Sequence, residues 1–290
     1  MGTNSDIISH CHAAWVTVTL AHAVQLERWS CGLSVMLEKT LRVTLVTNLQ
    51  AILLMEGDFN ATNKIVYGVR MMNNARKHHL VPEEIFSKKN RMANDRTLCK
   101  TLFYDIFCQA RVPAAIALVD ESNCYDRITH AMALLIFQAF GVPLTAVETI
   151  LGAIENMKFF LRTGFGNLTL FAGGGISIKT QGLMQGNRVS PAGWVVISVC
   201  ILGAHGKKGH GAKFYCPITN LQHHLSAILY VDDTDLLHID LTKDKSVYEV
   251  HDAIQTSINS WGNLLIATGG VLQPNKCFYS IILFESENGL

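Results

Sequence analysis

Hydrophobic residues follow a helical spacing in the first hundred residues of the chain. The clearest apolar series recurs near a 3.6-residue period and consists of Leu26, Trp29, Leu33, Met36 and Leu37. The segment from Thr44 to Met55 continues in the same style. Such spacing is typical of amphipathic helices. We therefore predict that the first hundred residues are mostly helical.

After about residue 100 the pattern changes to short apolar strands between helices. Residues 114–120, AAIALVD, form an apolar run that ends in an acid and predict a buried strand. The other predicted elements are helices over 128–140, 145–158, 191–202 and 246–267 and strands over 157–163, 167–172, 176–180, 225–231, 234–239 and 276–284. Thr145 and Glu148 are expected to form a capping box. This order predicts an α+β fold with helices covering one face of a mainly antiparallel sheet.

Three acids are brought together by this predicted topology. The strands over 225–231 and 234–239 read as a hairpin with its turn at Asp232 and Asp233. The first strand ends at Asp120, and in such a layout its end can lie beside the central hairpin turn. Clustered carboxylates at the edge of an apolar sheet repel one another and lose hydration, so they need cations. The alternative is that each acid is solvated separately at an ordinary strand end or turn.

Composition and charge limit the class of protein. The chain has 290 residues, 49% of them hydrophobic and 16% charged, which is enough for one large domain or two packed ones. A net charge of +1 argues against a globally basic nucleic-acid coat. Charge is nevertheless uneven, since residues 64–100 carry nine Lys or Arg against three acids, a local net charge of +6. This basic segment is a candidate for binding phosphates.

Cysteine spacing and hydropathy indicate an intracellular protein without a membrane span. The eight cysteines form no CxxC pair and no compact framework, which indicates reduced thiols. The longest apolar run, residues 192–204, is short for a membrane helix. We expect no membrane partner, and the sequence does not decide between nucleus and cytoplasm.

Three motifs occur in the order found in one polymerase family. They are VDESNCYDRI (119–128), QGLMQGNRVSPAGW (181–194) and YVDD (230–233). In order and rough spacing they resemble motifs A, B and C of the reverse transcriptase palm, as carried by eukaryotic retrotransposons. Residues 56–64 and 83–95 resemble the fingers motifs, and residues 268–277 resemble motif D. The resemblance extends from about residue 27 to the end of the chain.

The resemblance implies a polymerase palm with a ferredoxin-like antiparallel sheet, and a two-metal nucleotidyl transfer. Asp120 and Asp232 would bind two Mg²⁺ ions, for which Mn²⁺ can substitute, and Asp233 would be the second acid of the motif. Val119 would ligate through its backbone carbonyl. Lys276 would act as general acid for the departing pyrophosphate.

The same resemblance implies residues that contact nucleotide and template. Tyr125 stands where the family places a steric gate against a ribose 2′-hydroxyl, which favours dNTP over NTP. Gln185 and Gly186 would contact the incoming nucleotide, as would the basic fingers residues. These fingers residues are Lys88, Lys89 and Arg91. The template and primer candidates are Asn60, Lys64, Arg188, Ser190 and Pro191.

The expected activity is RNA-directed DNA synthesis on an RNA or DNA template with a primer. Residues 1–110 would form an N-terminal extension and the fingers, residues 111–290 the palm, and a thumb would be absent, so other domains of the element can be partners. Alternatives are an RNA-directed RNA polymerase, an unrelated two-metal nuclease, and a catalytically decayed or domesticated nucleic-acid-binding remnant. The last is favoured by Lys88, where relatives more often carry Arg, and by the shortened segment LEKTLRVTL.

Overall fold

The computed structural model describes residues 5–39, 49–163, 166–174, 180–216, 218–239 and 246–284. The chain divides into two compact units, each built from two stretches of sequence. Unit 1 contains Met1–His78 and Tyr125–Gly193, and unit 2 contains His79–Cys124 and Trp194–Leu290.

After an initial helix, groups of strands and groups of helices follow one another along the chain. The helices are α1 (Asp6–Ala21), α2 (Gly57–Asn63), α3 (Met72–Lys77), α4 (Ala93–Ala110), α5 (Cys124–Arg127), α6 (His130–Ala139), α7 (Leu144–Glu155), α8 (Ser190–Lys207) and α9 (Val247–Thr268). The strands are β1 (Cys31–Glu38), β2 (Leu49–Met55), β3 (Ala114–Asp120), β4 (Lys158–Thr163), β5 (Gly166–Gly173), β6 (Ala212–Tyr215), β7 (Gln222–Leu225), β8 (Ala227–Tyr230), β9 (Asp233–Ile239) and β10 (Phe278–Ile282). A π-helix, Lys64–Met71, joins α2 to α3, and 3₁₀ turns cover Glu27–Ser30 and Pro274–Lys276. Within the described ranges, no helix has the length and apolar content that a membrane span requires.

Unit 1 is built on a mixed sheet in the order β2-β1-β4-β5. Strand β1 runs antiparallel to β2 and parallel to β4, and β5 is antiparallel to β4. The fully buried Trp29 packs on Phe59 with ring centroids 5.1 Å apart, and its indole Nε1 donates to Asp58 Oδ1 at 3.0 Å. Helix α1 packs against α7. Unit 1 therefore has a hydrophobic core of its own, to which Trp29 and Phe59 belong.

The helical prediction for the segments that form β1 and β2 was wrong. Both are strands, paired with each other and, for β1, with β4 more than a hundred residues later in the chain. Four of the eight residues of β1 are half-buried and three are exposed, so its apolar residues do not separate a period of 2 from one of 3.6. Gly32 also allows close packing, since a Cβ there would lie 2.8 Å from Leu53 Cδ1. Long-range pairing therefore decided the structure of these residues.

Unit 2 contains the predicted antiparallel sheet, in the order β10-β3-β9-β8. Each neighbouring pair is antiparallel. Phe103 and Phe107 of α4 form a core with Ile116 and Leu237 of the sheet, and α9 packs on β3 and β9. The prediction of an α+β fold with a mainly antiparallel sheet is confirmed.

Most predicted elements after residue 100 are present, with shifts at their ends. Strand β3 matches AAIALVD, and Ser246 caps α9 in a capping box with Glu249. Helix α7 begins at Leu144, so the predicted capping box at Thr145 was wrong. Pro143 is the N-cap residue, and it has no side chain that could accept a capping hydrogen bond. The predicted strand over 176–180 falls almost wholly outside the described residues.

A buried histidine lies where α8 ends. His205 is fully buried, and its Nε2 lies 3.2 Å from Ser257 Oγ. Its ring stacks on His210 with centroids 4.7 Å apart and meets Trp261 edge-on at 5.3 Å. Burial, together with the smaller effects of the nearby His210, Lys208 and His224, lowers the pKa of His205 to about 3. The folded protein therefore keeps this histidine neutral.

We expect acid to destabilise unit 2 through His205. An unfolded chain protonates histidine below about pH 6.5 while the folded chain does not, so the free energy of unfolding falls as pH decreases from about 6.5 towards 3. The slope should be about 1.4 kcal/mol per pH unit for one such group. Urea unfolding followed by tryptophan fluorescence at several pH values measures it. His205→Gln should flatten the slope, and the same change at the more exposed His251 should not; equal slopes for the wild type and His205→Gln would contradict this.

Candidate active site

The turn between β8 and β9 presents the first candidate carboxylate. Tyr230 pairs with Asp233, so Val231 and Asp232 form the turn, one residue earlier than predicted. Val231 has φ of +56°, a left-handed conformation that is rare for β-branched residues. Trp194 Nε1 of α8 donates to the Val231 carbonyl at 2.6 Å. This hydrogen bond fixes the strained turn that carries Asp232.

Asp120 lies beside this turn, as the topology predicted. It ends β3 directly opposite Asp233 in the register of β3 and β9, and Val119, the residue before it, is buried opposite Thr234. Burial raises the pKa of Asp232, and the charges of Asp233 and Asp120 raise it further. The three acids thus form one repulsive cluster at the edge of the sheet.

Two basic side chains approach this cluster from different elements. Lys276 Nζ lies 2.8 Å from Asp120 Oδ2, and hydrogen bonding to Asp120 raises the pKa of the lysine. Arg96 Nη1 of α4 lies 2.9 Å from Asp233 Oδ2. Together with Leu118, Thr234 and Phe278, these residues line a groove of about 280 Å³. Each of the two carboxylates that line the groove is thus paired with a cation.

A fourth carboxyl, Glu121, was not singled out from the sequence. It is buried, its Oε1 accepts from Trp261 Nε1 at 3.2 Å, and its Oε2 has no hydrogen-bond partner among the described residues. Burial raises the pKa of Glu121 well above its usual range, and the charges of Asp232 and Asp120 add to this. Its position immediately after Asp120 in VDES was the sequence signal that could have placed Glu121 near the other acids.

The donor atoms at this cluster suit a hard cation. Carboxylate oxygens are ligands of Mg²⁺ and Mn²⁺. Over the described ranges, no three or more His, Cys, Asp or Glu side chains are grouped so that they alone could hold a metal. The usual Mg²⁺ site of polymerases has one or two carboxylates and is completed by substrate phosphates. Asp120 and Asp232 fit that role by their chemistry.

In unit 1, residues 182–190 form a loop that we call the 182–190 loop. Leu183 N donates to Tyr125 O at 2.8 Å, and Gln185 N donates to Asp126 Oδ1 at 3.0 Å, which joins the loop to α5. Gln185 O accepts from Leu53 N of β2 at 2.9 Å. The loop is therefore held by main-chain contacts on both sides of Gln185.

Asparagine side chains from α2 also support the 182–190 loop. Asn60 Oδ1 accepts from Arg188 N at 2.8 Å, and Asn60 Nδ2 donates to Gly186 O at 3.3 Å. Asn63 Nδ2 donates to Asn187 Oδ1 at 2.8 Å inside the unit. Asn60, predicted to contact template, thus uses both ends of its amide to hold this loop. No local pattern in the sequence signals these contacts, which span more than 120 residues.

The remaining predicted contact residues of unit 1 differ in exposure. Ser190 is buried, with its hydroxyl 2.7 and 2.6 Å from the carbonyls of Leu183 and Met184, so it stabilises the loop rather than offering a surface contact. The side chains of Arg188 and Pro191 and of Lys64 in the π-helix are exposed. Tyr125 in α5 is half-buried.

The basic fingers residues, which lie in unit 2, are partly engaged with one acid. Lys88 Nζ lies 3.1 Å from Glu83 Oε2 and donates to Pro82 O at 3.0 Å, and Arg91 Nη2 lies 2.8 Å from the same Glu83 oxygen. Hydrogen bonds from Arg91 and Lys88 lower the pKa of Glu83. Lys89 is exposed. Two of the three predicted phosphate ligands thus hold a solvent-exposed carboxylate.

Comparisons with known proteins identify the fold. No family model and no curated protein sequence matches the chain. Solved structures do match. The structure of telomerase from Candida albicans with a TWJ fragment of telomeric RNA has a TM-score of 0.56 at 10% identity, over 93% of this chain and 45% of that chain. Apo telomerase from Candida tropicalis, truncated from its C-terminal domain, has a TM-score of 0.54 at 13% identity, over 96% and 57%.

A third match is telomerase from Candida tropicalis with a TWJ fragment of telomeric RNA, with a TM-score of 0.53 at 12% identity, over 98% of this chain and 45% of that one. The chain thus spans about half the length of the telomerases it resembles. Identities this low carry information on the fold alone. The chain therefore has a reverse-transcriptase-like polymerase fold.

Proposed function

We propose that the chain is the polymerase part of an RNA-directed DNA polymerase, which adds dNTPs to a primer as a template directs. The observation that carries this proposal is the meeting of Asp120 and Asp232 at the end of β3 and the β8–β9 turn, within a reverse-transcriptase-like fold. Motifs A to D in their family order support a retrotransposon origin. In this proposal residues 111–290 carry the palm motifs, and residues 1–110 carry the fingers and an N-terminal extension.

Asp120 and Asp232 would hold Mg²⁺, and Mn²⁺ could replace it. When bound, the metal supplies Lewis-acid activation of the primer 3′-hydroxyl and neutralises phosphate charge. Without the metal, the carboxylates repel one another. Burial is the main cause of the raised pKa of Asp232, and the charges of Asp233 and Asp120 raise that pKa further. The protein's own contribution is to hold these oxygens at the edge of a rigid sheet.

Lys276 is the residue best placed to handle a proton. Its ammonium lies 2.8 Å from Asp120, and hydrogen bonding to that carboxylate raises its pKa, so it carries a proton at neutral pH. A phosphate group entering the groove would meet this N–H donor. Lys276 can therefore donate its proton to a leaving pyrophosphate oxygen.

The other predicted residues would contact the phosphates and bases. Lys89 is exposed, and Lys88 and Arg91 can exchange the carboxylate of Glu83 for a triphosphate, since both bind the same type of oxygen anion. Gln185 and Gly186 lie in the 182–190 loop, whose main chain is fixed on both sides. Tyr125 would exclude a ribose 2′-hydroxyl.

A primer-extension assay tests the proposed function. The purified 290-residue chain is incubated with Mg²⁺ or Mn²⁺ and a primer annealed to an RNA or a DNA template, with dNTPs or NTPs. We expect dNTP addition on the RNA template. Preference for NTPs with Tyr125 intact would favour an RNA polymerase instead. Primer shortening would indicate a nuclease, and template binding without extension would indicate a non-catalytic remnant.

A further inference from the structure

A closed group of four charges lies beside the candidate catalytic turn; we call Asp235, Arg96, Lys100 and Asp233 the Asp235 network. Asp235 on β9 is fully buried. Arg96 Nε and Nη2 lie 3.0 and 2.8 Å from Asp235 Oδ2, and Lys100 Nζ lies 2.9 Å from Oδ1. Both oxygens of this carboxylate are therefore paired with cations, as a buried charge requires.

Arg96 connects this buried pair to the catalytic turn. Arg96 and Lys100 lie four residues apart on α4, so they share one face of the helix. Two nitrogens of the Arg96 fork reach Asp235, and the third, Nη1, reaches Asp233 at 2.9 Å. A rigid guanidinium can bridge two carboxylates in this way, whereas a lysine ammonium is a single point charge.

The two cations that approach the carboxylate cluster differ in how easily they can leave. The Lys276 side chain is 63% exposed, so it can move from Asp120 into solvent or to a phosphate. The Arg96 side chain is only 14% exposed, and Asp235 has no exposure at all. If Arg96 left, the Asp235 carboxylate would keep Lys100 alone, which leaves a buried charge poorly paired. Asp120 can therefore exchange its cation for a metal, whereas Asp233, although its side chain is 58% exposed, keeps Arg96 on its Oδ2.

We propose that Arg96 and Asp235 are positioning residues that reserve Asp233 as an anchor of the catalytic turn, so that Asp120 and Asp232 are the metal ligands and Asp233 is not one. This inference rests on the proposed function, because it concerns the same metal site. It separates three acids that look equivalent in the sequence into two ligands and one support.

Mn²⁺ binding to the full chain, read from the electron paramagnetic resonance signal of free Mn²⁺, tests the assignment without relying on activity. We expect Asp232→Asn to weaken binding at least about tenfold, the scale on which residues of a metal site act. Asp233→Asn should change binding by less than about twofold, because the new amide keeps an oxygen that Arg96 can still hold. Equal losses in the two variants would overturn the proposal.

Variants of Arg96 test the bridge itself. Arg96→Lys keeps a charge beside Asp235 but cannot span both acids, so it should release Asp233 as an extra oxygen ligand and tighten Mn²⁺ binding about threefold or more. Adding Asp233→Asn to Arg96→Lys should cancel that gain, and Asp235→Asn should reproduce it in part. Unchanged Mn²⁺ affinity in Arg96→Lys, with a folded protein by circular dichroism, would overturn the proposal. Lys213→Arg, at an exposed lysine of β6 in the same unit, is the charge-conserving control.

The same experiment separates this inference from the proposed function. If the wild type extends primers but Asp233→Asn and Asp232→Asn lose Mn²⁺ equally, the polymerase proposal stands and the positioning role fails. If the predicted order of Mn²⁺ affinities is found without any nucleotide incorporation, the positioning role stands and the polymerase proposal fails. A wild type that binds no Mn²⁺ overturns both.

Discussion

Asp232→Asn is expected to abolish nucleotide incorporation while the protein stays folded. The amide has lost the charge that a metal-phosphate complex needs, and removing one such electrostatic partner from a preorganised site costs a factor of about 10²–10³ in rate. Stability should be kept or slightly increased, because burial and the charges of Asp233 and Asp120 raise the pKa of Asp232 and so disfavour its charged form in the folded state. Single-nucleotide incorporation under excess enzyme, with thermal unfolding in parallel, measures both effects.

Asp105→Asn is the matched control for this result. Asp105 is exposed on α4, so the same loss of one carboxylate should change neither rate nor stability appreciably. An Asp232→Asn protein with wild-type incorporation would exclude the β8–β9 turn as the catalytic centre.

Gly186→Ala is expected to lower incorporation and stability together. Gly186 has φ of +103°, and a Cβ there would collide with the backbone carbonyl oxygen of Leu53, which cannot move without disturbing β2. The 182–190 loop must shift instead, and it carries Gln185, whose main chain bonds to Leu53 and Asp126. Displacement of about 1 Å in a substrate-positioning group can cost about 10²-fold in rate. We expect kcat/KM for dNTP to fall by about that factor.

Gly209→Ala separates the collision from the backbone strain. Gly209 has φ of +86°, and a Cβ there would have nothing within 4 Å, so its replacement has a conformational cost of about 1 kcal/mol and no steric one. Steady-state kinetics and thermal unfolding of the two variants should differ clearly. If Gly186→Ala behaves like Gly209→Ala in both measurements, the 182–190 loop does not depend on its close approach to β2.

The sequence predicted elements well where one local signal dominated. Strand β3 is an uninterrupted apolar run ending in Asp120, and Ser246 with Glu249 marks the start of α9 through a capping box that the structure contains. Strands β1 and β2 were mistaken for helices because both are partly exposed, and because β1 is stabilised by pairing with β4 more than a hundred residues later as well as with β2. Such pairing has no short-range signature.

The residues of the candidate site also divide into those with a local sequence signal and those without one. Asp120 and Asp232 were found because each ends a recognisable strand or lies in a turn. Arg96 and Asp235 were missed because their ion pair joins α4 to β9 across 139 residues. The available signal was an acid inside the apolar strand TDLL, which must be paired when buried. Arg96 and Lys100 lie four residues apart on one helix, and together with this buried acid they would have suggested an ion pair.

The backbone conformation of Val231 affects both the stability of the chain and the geometry of the turn that carries Asp232. Its left-handed backbone, at φ of +56°, costs a β-branched residue about 1–3 kcal/mol, and glycine would remove most of that cost. Selection for thermal stability alone would therefore favour glycine at position 231. A glycine would also let the main chain before Asp232 sample many conformations. The valine lowers global stability, but with the Trp194 hydrogen bond it keeps the turn in a single backbone geometry.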